Sequence, residues 1–197
     1  MSEHKSTSVA IIDLLRDRKS HRALSPAPID RPVIFRMLEA ARWAPSARNE
    51  QPWRFVIVDR KQEAQFSDLV GTLLGSNALW ASNASLFIVV VVKNTWGSEG
   101  KANPYAYYDA GQAVAHLTVQ AQVEGISIRQ MGAFDKAKAA NCIGVADGFE
   151  TFLILAVGKP GNVDDLPDDL RTLELARRTR KGIDEIAFST KWEEALS

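Results

Sequence analysis

Two short basic segments sit near opposite ends of the chain: Arg18-Lys19-Ser20-His21-Arg22 and Arg177-Arg178-Thr179-Arg180-Lys181. Guanidinium forks beside a serine hydroxyl supply what a phosphate monoester needs, charge together with directed donors. The same runs also read as solvated surface, which is what charge runs commonly are. A third segment, Ala44-Pro45-Ser46-Ala47-Arg48-Asn49-Glu50-Gln51-Pro52-Trp53, brackets hydrogen-bonding side chains between two prolines. One reading is a rigid turn whose amide and hydroxyl groups aim at the edge of a planar polar ring. The other is an ordinary helix-to-strand turn whose Ser and Asn satisfy their own backbone. The residue types leave both pairs of readings open.

Composition narrows the field. The chain has 197 residues, 46% hydrophobic and 24% charged, with 24 Lys+Arg against 24 Asp+Glu. A chain of this size buries roughly 70% of its unfolded surface as one domain, and no repeat or linker divides residues 1–197. Zero net charge provides no general field for nucleic acid, and no aromatic stacking motif lies between the basic segments. One cysteine, Cys142, forms no internal disulfide, and His4, His21 and His116 are too scattered to suggest a metal site. The N-terminus has no apolar stretch after its charges, and the apolar run at 86–92 is too short to cross a bilayer. A cytoplasmic protein without a membrane partner is expected, with residues 1–7 frayed.

The elements that must position these segments follow from periodicity. Helices are predicted over 9–16, 61–74, 107–123 and 135–142, and one begins at Asp30-Arg31-Pro32 and stops before Pro45. The helix over 107–123 carries small residues, Ala110, Ala113, Ala115 and Ala121, suited to close approach. Strands are predicted over 53–58, 86–92, 126–131 and 151–157. The strand over 86–92 is apolar throughout, as one covered on both faces would be, and the last is cut by Gly158-Lys159-Pro160-Gly161. Residues 93–104 form a polar, glycine-containing loop. The expected architecture is α+β, a sandwich of helices around a small sheet.

The motifs in order resemble the nitroreductase family. Arg18-Lys19-Ser20-x-Arg22 is followed by Ala44-Pro-Ser-Ala-x-Asn-x-Gln-Pro-Trp53, Tyr108-Asp-Ala-Gly-Gln-Ala, Gly125-Ile-Ser-Ile-Arg-Gln-Met-Gly-Ala-Phe-Asp, Ala156-Val-Gly-Lys-Pro-Gly and Arg178-Thr-Arg-Lys-Gly. The resemblance implies a nitroreductase-like fold with a mixed or antiparallel sheet, and a homodimer binding FMN at the subunit interface. On this likeness Arg18, Lys19, Ser20 and Arg22 hold the phosphate and ribityl chain, joined by Arg178 and Arg180 from a C-terminal arm at 160–197. Pro45, Ser46 and Asn49, from one or the other subunit, line the flavin ring. Gln130, Met131 and Gly132 run past its other edge, and Asn77 touches it. The chain departs from the family where Lys19 replaces a second arginine, Leu24 an aromatic and Gly182 a proline.

The activity implied is a ping-pong oxidoreduction in which NADH or NADPH delivers hydride to FMN. An acceptor such as a nitroaromatic, quinone or activated alkene then takes the electrons. Because the cofactor carries that chemistry, no side chain is assigned as catalytic acid or base. Specialised relatives (a flavin destructase, a dehalogenase, a dehydrogenase) differ in the lid, for which residues 93–104 with Trp96 and Tyr105, and the 61–74 helix, are the candidates. A non-enzymatic flavin-binding module would use the same clamp. Trp96 either stacks on substrate or anchors its loop; Arg48 either faces solvent or charges the substrate site. Cys142, His116, Trp53, Trp80 and Trp192 read as packing or interface residues, and residues 164–169 as a solvated connection.

Overall fold

A computed structural model describes residues 9–97 and 100–196. The segment expected to fray, 1–7, lies outside the described residues. Five strands form one open sheet in which every pairing is antiparallel: β1 (Leu24–Ser25), β2 (Trp53–Asp59), β3 (Leu86–Val92), β4 (Ser127–Met131) and β5 (Glu150–Pro160). Ile154 of β5 pairs with Val89 on one side and Met131 on the other. The spatial order is therefore β4-β5-β3-β2, and β1 joins β5 at Lys159 and Pro160.

Strand periodicity explains the layers. All of β3 is buried, and its side chains alternate between two cores. Phe87, Val89 and Val91 join one cluster with Phe66, Leu69, Trp80 and Leu170. Leu86, Ile88, Val90 and Val92 join the other with Met37, Ala41, Ala113 and Leu117. The first face is covered by α3 (Glu63–Val70), α4 (Asn77–Ala81), α6 (Lys136–Ile143) and α7 (Asp168–Leu175), the second by α2 (Arg31–Arg42) and α5 (Ala106–Val123). The predicted sandwich is present, with helices on both faces of the sheet. In α5, Ala106, Ala110, Ala113, Leu117 and Ala121 recur at three- and four-residue steps and are buried, so α2 packs closely against it.

Several boundaries differ from the periodic reading, for local reasons. The first helix shrinks to α1 (Asp13–Asp17), which buries nothing. The 61–74 helix stops at Val70; Leu73 pairs across to Phe134 and Leu74 donates its N–H to Ala133. β5 runs on to Pro160 because β1 supplies a partner there. The C-terminal connection contains a helix, α7, whose Leu170 joins the core beside Leu166. Asp30 stands at the start of α2 as expected, but accepts Val33 and Ile34 through its carbonyl and makes no side-chain cap.

The β1–β5 junction depends on a glycine. A Cβ at Gly161 would lie 2.6 Å from the Leu24 carbonyl carbon and 2.9 Å from Ser25 N, both backbone atoms that cannot step aside. Gly161→Ala is expected to cost about 1–3 kcal/mol by overpacking, read as a lower denaturant midpoint with unchanged m-value; an unaltered midpoint would show β1 to be loosely held.

Candidate functional site

The side chains from Arg18 to Arg22 divide between two sets of contacts. Arg18 donates to Ser20 Oγ at 2.9 Å. Lys19 and His21 turn instead to Glu174 in the last turn of α7: the Lys19 ammonium lies 3.3 Å from Oε1 and also donates to the Glu174 carbonyl, and His21 Nδ1 lies 2.8 Å from Oε1. The Arg22 backbone N–H donates to Oε2 at 2.9 Å, with its guanidinium 4.0 Å away. Glu174 is 1% exposed. Burial pushes its carboxyl up, but the His21 contact, the Arg22 N–H and the Lys19 charge outweigh burial and hold it down at about 2.

The two basic segments, far apart in sequence, meet here. Arg178 donates to the carbonyls of Arg16 and Arg18. Burial lowers the Arg18 pKa, and the nearby charges of Arg178 and Arg180 lower it further. Arg129 of β4 donates to the Ser20 carbonyl at 2.6 Å and lies 5.3 Å over the Trp80 ring; its pKa falls through burial and then through Arg22. The cluster thus has two halves. Lys19, His21 and Arg22 share a buried carboxylate. Among the described residues Arg18, Arg178 and Arg180 make no ion pair with any carboxylate, although they crowd one another. Mutually repelling guanidiniums beside a serine hydroxyl fit a phosphate dianion.

The proline-bracketed turn is built differently. Arg48, Asn49 and Gln51 all have left-handed φ, at 55°, 55° and 49°, a strained run that persists only where its surroundings over-determine it. Ser46 Oγ accepts from Gln51 N–H at 3.0 Å, and Asn49 Oδ1 from Gln51 Nε2 at 3.1 Å. Buried Asp109, in the first turn of α5, accepts the Ala47 N–H at 3.0 Å. The turn is also strapped to the 93–104 loop: Glu50 Oε1 accepts the Gly97 N–H at 2.7 Å, and the Arg48 guanidinium lies 4.7 Å from the Trp96 ring centre. Trp96 further contacts Tyr105. Trp96 therefore anchors its loop, and Arg48 covers that ring. Pro45 and Asn49 remain exposed.

At the third segment Gln130 is exposed, while Met131 is 2% exposed and packs into the first core. Met131 can offer a ligand only its backbone. Gly132 is open: a Cβ there would meet only Leu153, at 3.9 Å. Among the described residues β4 pairs only with β5, so it forms an edge of the sheet, where backbone groups can meet a planar partner. Asn77 approaches this corner, its amide 3.5 Å from the Ala133 carbonyl.

Strand register decides which of these segments one ligand can touch. Trp53, just after the turn, is level with Val92 and, through it, Glu150 of β5; Ser127, beside the basic cluster, is level with Gly158. Three strand spacings and eight residues along β5 separate those corners by about 30 Å. The basic cluster and the β4 edge adjoin, but the turn of the same chain lies diagonally across the sheet.

Four polar residues that build these segments escaped the sequence reading as site residues: Glu174, Arg129, His21 and Asp109. The spacing Leu166-x-x-x-Leu170-x-x-x-Glu174 carries a helical signal within a stretch that otherwise looks like a polar connection. Nothing in the sequence pairs Glu174 with residues 19–22.

Comparison with known proteins gives a consistent result. The model of the Nitroreductase family matches residues 15–159. An Archaeoglobus fulgidus protein named as an NADH dehydrogenase/NAD(P)H nitroreductase is 27% identical over 165 residues, covering 78% of this chain and 87% of its own. A solved structure described as an oxidoreductase containing FMN superposes with a TM-score of 0.90 at 31% identity, over 98% of both chains. Iodotyrosine deiodinase bound to FMN and 3-iodo-L-tyrosine shares the fold, with a TM-score of 0.59 at 20% identity over 76% of this chain and 89% of its own.

The depressed Glu174 carboxyl makes the clasp on residues 18–22 acid-sensitive. With a folded value of about 2 against an ordinary 4.5, its contribution is complete above pH 4.5 and is lost as pH falls toward 2. Glu39 and Glu124, also at about 2, act in the same window but at the surface. Amide exchange over 18–22, corrected for intrinsic rate, should therefore accelerate between pH 5 and pH 3 in the native chain and not in Glu174→Gln; equal protection at both pH values would contradict the clasp.

Proposed function

As the chain belongs to the nitroreductase family, we propose that it is an oxidoreductase that binds FMN between two copies of itself and passes electrons from NAD(P)H to a small planar acceptor. The observation that carries this reading is the approach of Arg178 and Arg180 to Arg18, itself bonded to Ser20 Oγ, with no carboxylate partner for any of the three among the described residues. When bound, FMN supplies hydride acceptance from NADH or NADPH and onward delivery to a nitroaromatic or quinone, in two alternating half-reactions.

The chain's own residues bind, orient and shield. Arg18, Ser20, Arg178 and Arg180 take the phosphate, with Arg22 at the rim, while Lys19 supports the clamp through Glu174. The open backbone at Gly132 and the amide of Gln130 lie along the adjoining sheet edge, placed to donate to the ring and to stabilise negative charge there. Pro45, Ser46 and Asn49 reach that ring from a second copy, because the turn of the same chain is about 30 Å away. Trp96 and Gly97, held to the turn by Arg48 and Glu50, come with it. Large exposed apolar residues, among them Ile12, Leu15, Tyr108, Val123, Leu175 and Trp192, support a dimer that would cover them. Among the described residues no helix is long and apolar enough to cross a membrane.

The purified protein should be yellow, with flavin absorbance bands, and should have the mass of a dimer; a colourless monomer that takes up no FMN would refute the proposal. Arg18→Ala should weaken FMN binding about tenfold or more, through a lost charge-assisted contact, whereas Lys19→Met should cost less than about threefold, both measured by flavin fluorescence quenching. Arg18→Ala and Asn49→Ala, each expected to impair turnover alone, should recover activity when their subunits are exchanged. Random pairing yields half heterodimers with one intact site each, about a quarter of wild-type sites. Absence of recovery would place both residues in the same protomer's site.

A further inference from the structure

The Glu174 carboxylate is an oddity in a phosphate-binding region. It carries the wrong charge, and a carboxylate 1% exposed is costly to bury unless its surroundings compensate it. Among the described residues its hydrogen-bond and ion-pair partners come from residues 19–22, the Lys19 ammonium, the His21 ring and the Arg22 N–H, and the Arg129 guanidinium of β4 adds a further positive charge nearby. Lys19 also caps the Glu174 carbonyl. Just beyond α7 the chain reaches Arg178, which grips the carbonyls of Arg16 and Arg18. The last turn of α7 and the residues after it thus hold the 16–22 segment from one side. Lys19 and His21 are drawn to that side, whereas Arg18 and Ser20 are hydrogen-bonded to each other at 2.9 Å and make no contact with Glu174.

We propose that Glu174 is a positioning residue for cofactor phosphate: by fixing Lys19, His21 and the Arg22 backbone it presents Arg18 and Ser20 to the phosphate, although its own charge opposes the anion. This inference rests on the FMN reading above. It makes a prediction whose sign separates it from simple electrostatics. A carboxylate that only added negative charge near the phosphate would, when neutralised, let FMN bind more tightly. A positioning carboxylate, when neutralised, makes FMN bind more weakly.

The experiment compares Glu174→Gln with the native full-length chain, titrating FMN and riboflavin separately and following flavin fluorescence. Riboflavin shares the ring and ribityl chain but has no phosphate. The expected result is about a tenfold loss of FMN affinity, the size of one charge-assisted hydrogen bond, with riboflavin affinity within about twofold of native and an apoprotein melting curve that remains cooperative. FMN affinity that is unchanged or increased overturns the proposal. So does a parallel loss of FMN and riboflavin, which would mark Glu174 as merely structural. If Glu174→Gln does not fold, His21→Ala removes a partner at the partly exposed side and should lower FMN affinity about threefold while sparing riboflavin; no preferential loss of FMN overturns the proposal equally. Failure of the native chain itself to bind FMN would instead refute the flavin reading.

Discussion

Crowding of Arg178 and Arg180 against Arg18 is the constraint on which the candidate site depends. Like charges held within reach of one another disfavour the folded state unless something fixes them, and here backbone does the fixing. Arg178 spends its donors on the carbonyls of Arg16 and Arg18, so it is locked in place without being neutralised. The neighbouring cations Lys19 and Arg22 are treated in the opposite way, gathered onto one buried carboxylate. A region rich in positive charge is thereby divided into a half paired with a buried carboxylate and a half that, among the described residues, has no carboxylate partner. Preorganised charge of this kind binds strongly because the cost of assembling it is met during folding.

The sheet sets the second constraint. Because β3 and β5 alternate their side chains between two cores, both faces are filled by helices and no ligand can lie on the sheet. Binding is confined to its edges and corners. The outer edge of β4, next to the basic cluster, is one such place; the turn entering β2 is another, diagonally opposite. A mononucleotide cannot bridge about 30 Å. An assembly in which the turn of one copy meets the edge of another brings both segments to one ligand, and this ties the proposed cofactor site to the proposed dimer.

The turn itself shows how strain is tolerated. Left-handed backbone at Arg48, Asn49 and Gln51 is unfavourable for residues with side chains. It is held by Asp109 from α5, by Ser46 internally, and by Glu50 and Arg48 through the 93–104 loop. Ser46 serves the turn's own backbone, as an ordinary turn would have it do, while Asn49 accepts from the Gln51 side chain, and Pro45 and Asn49 stay at the surface. The two readings of this segment are therefore compatible, since the internal hydrogen bonds are what keep its exposed groups in place.

Read alone, the sequence determined the α+β class, the family resemblance, the strand 86–92 with its two buried faces and the small-residue face of the long helix, because periods of 2.0 and 3.6 residues are local properties. The two Arg-rich segments and the proline-bracketed turn were equally legible, since their chemistry is written in residue type. Tertiary structure alone decided that Lys19 and His21 face Glu174 while Arg18 and Ser20 do not, that Met131 is core, that Arg48 covers Trp96, and that the turn lies across the sheet from the basic cluster. Each depends on contacts between residues distant in the chain, Glu174 with His21 being 153 positions apart. A buried charge is written in the sequence with the same letter as an exposed one, and only its partners reveal the difference.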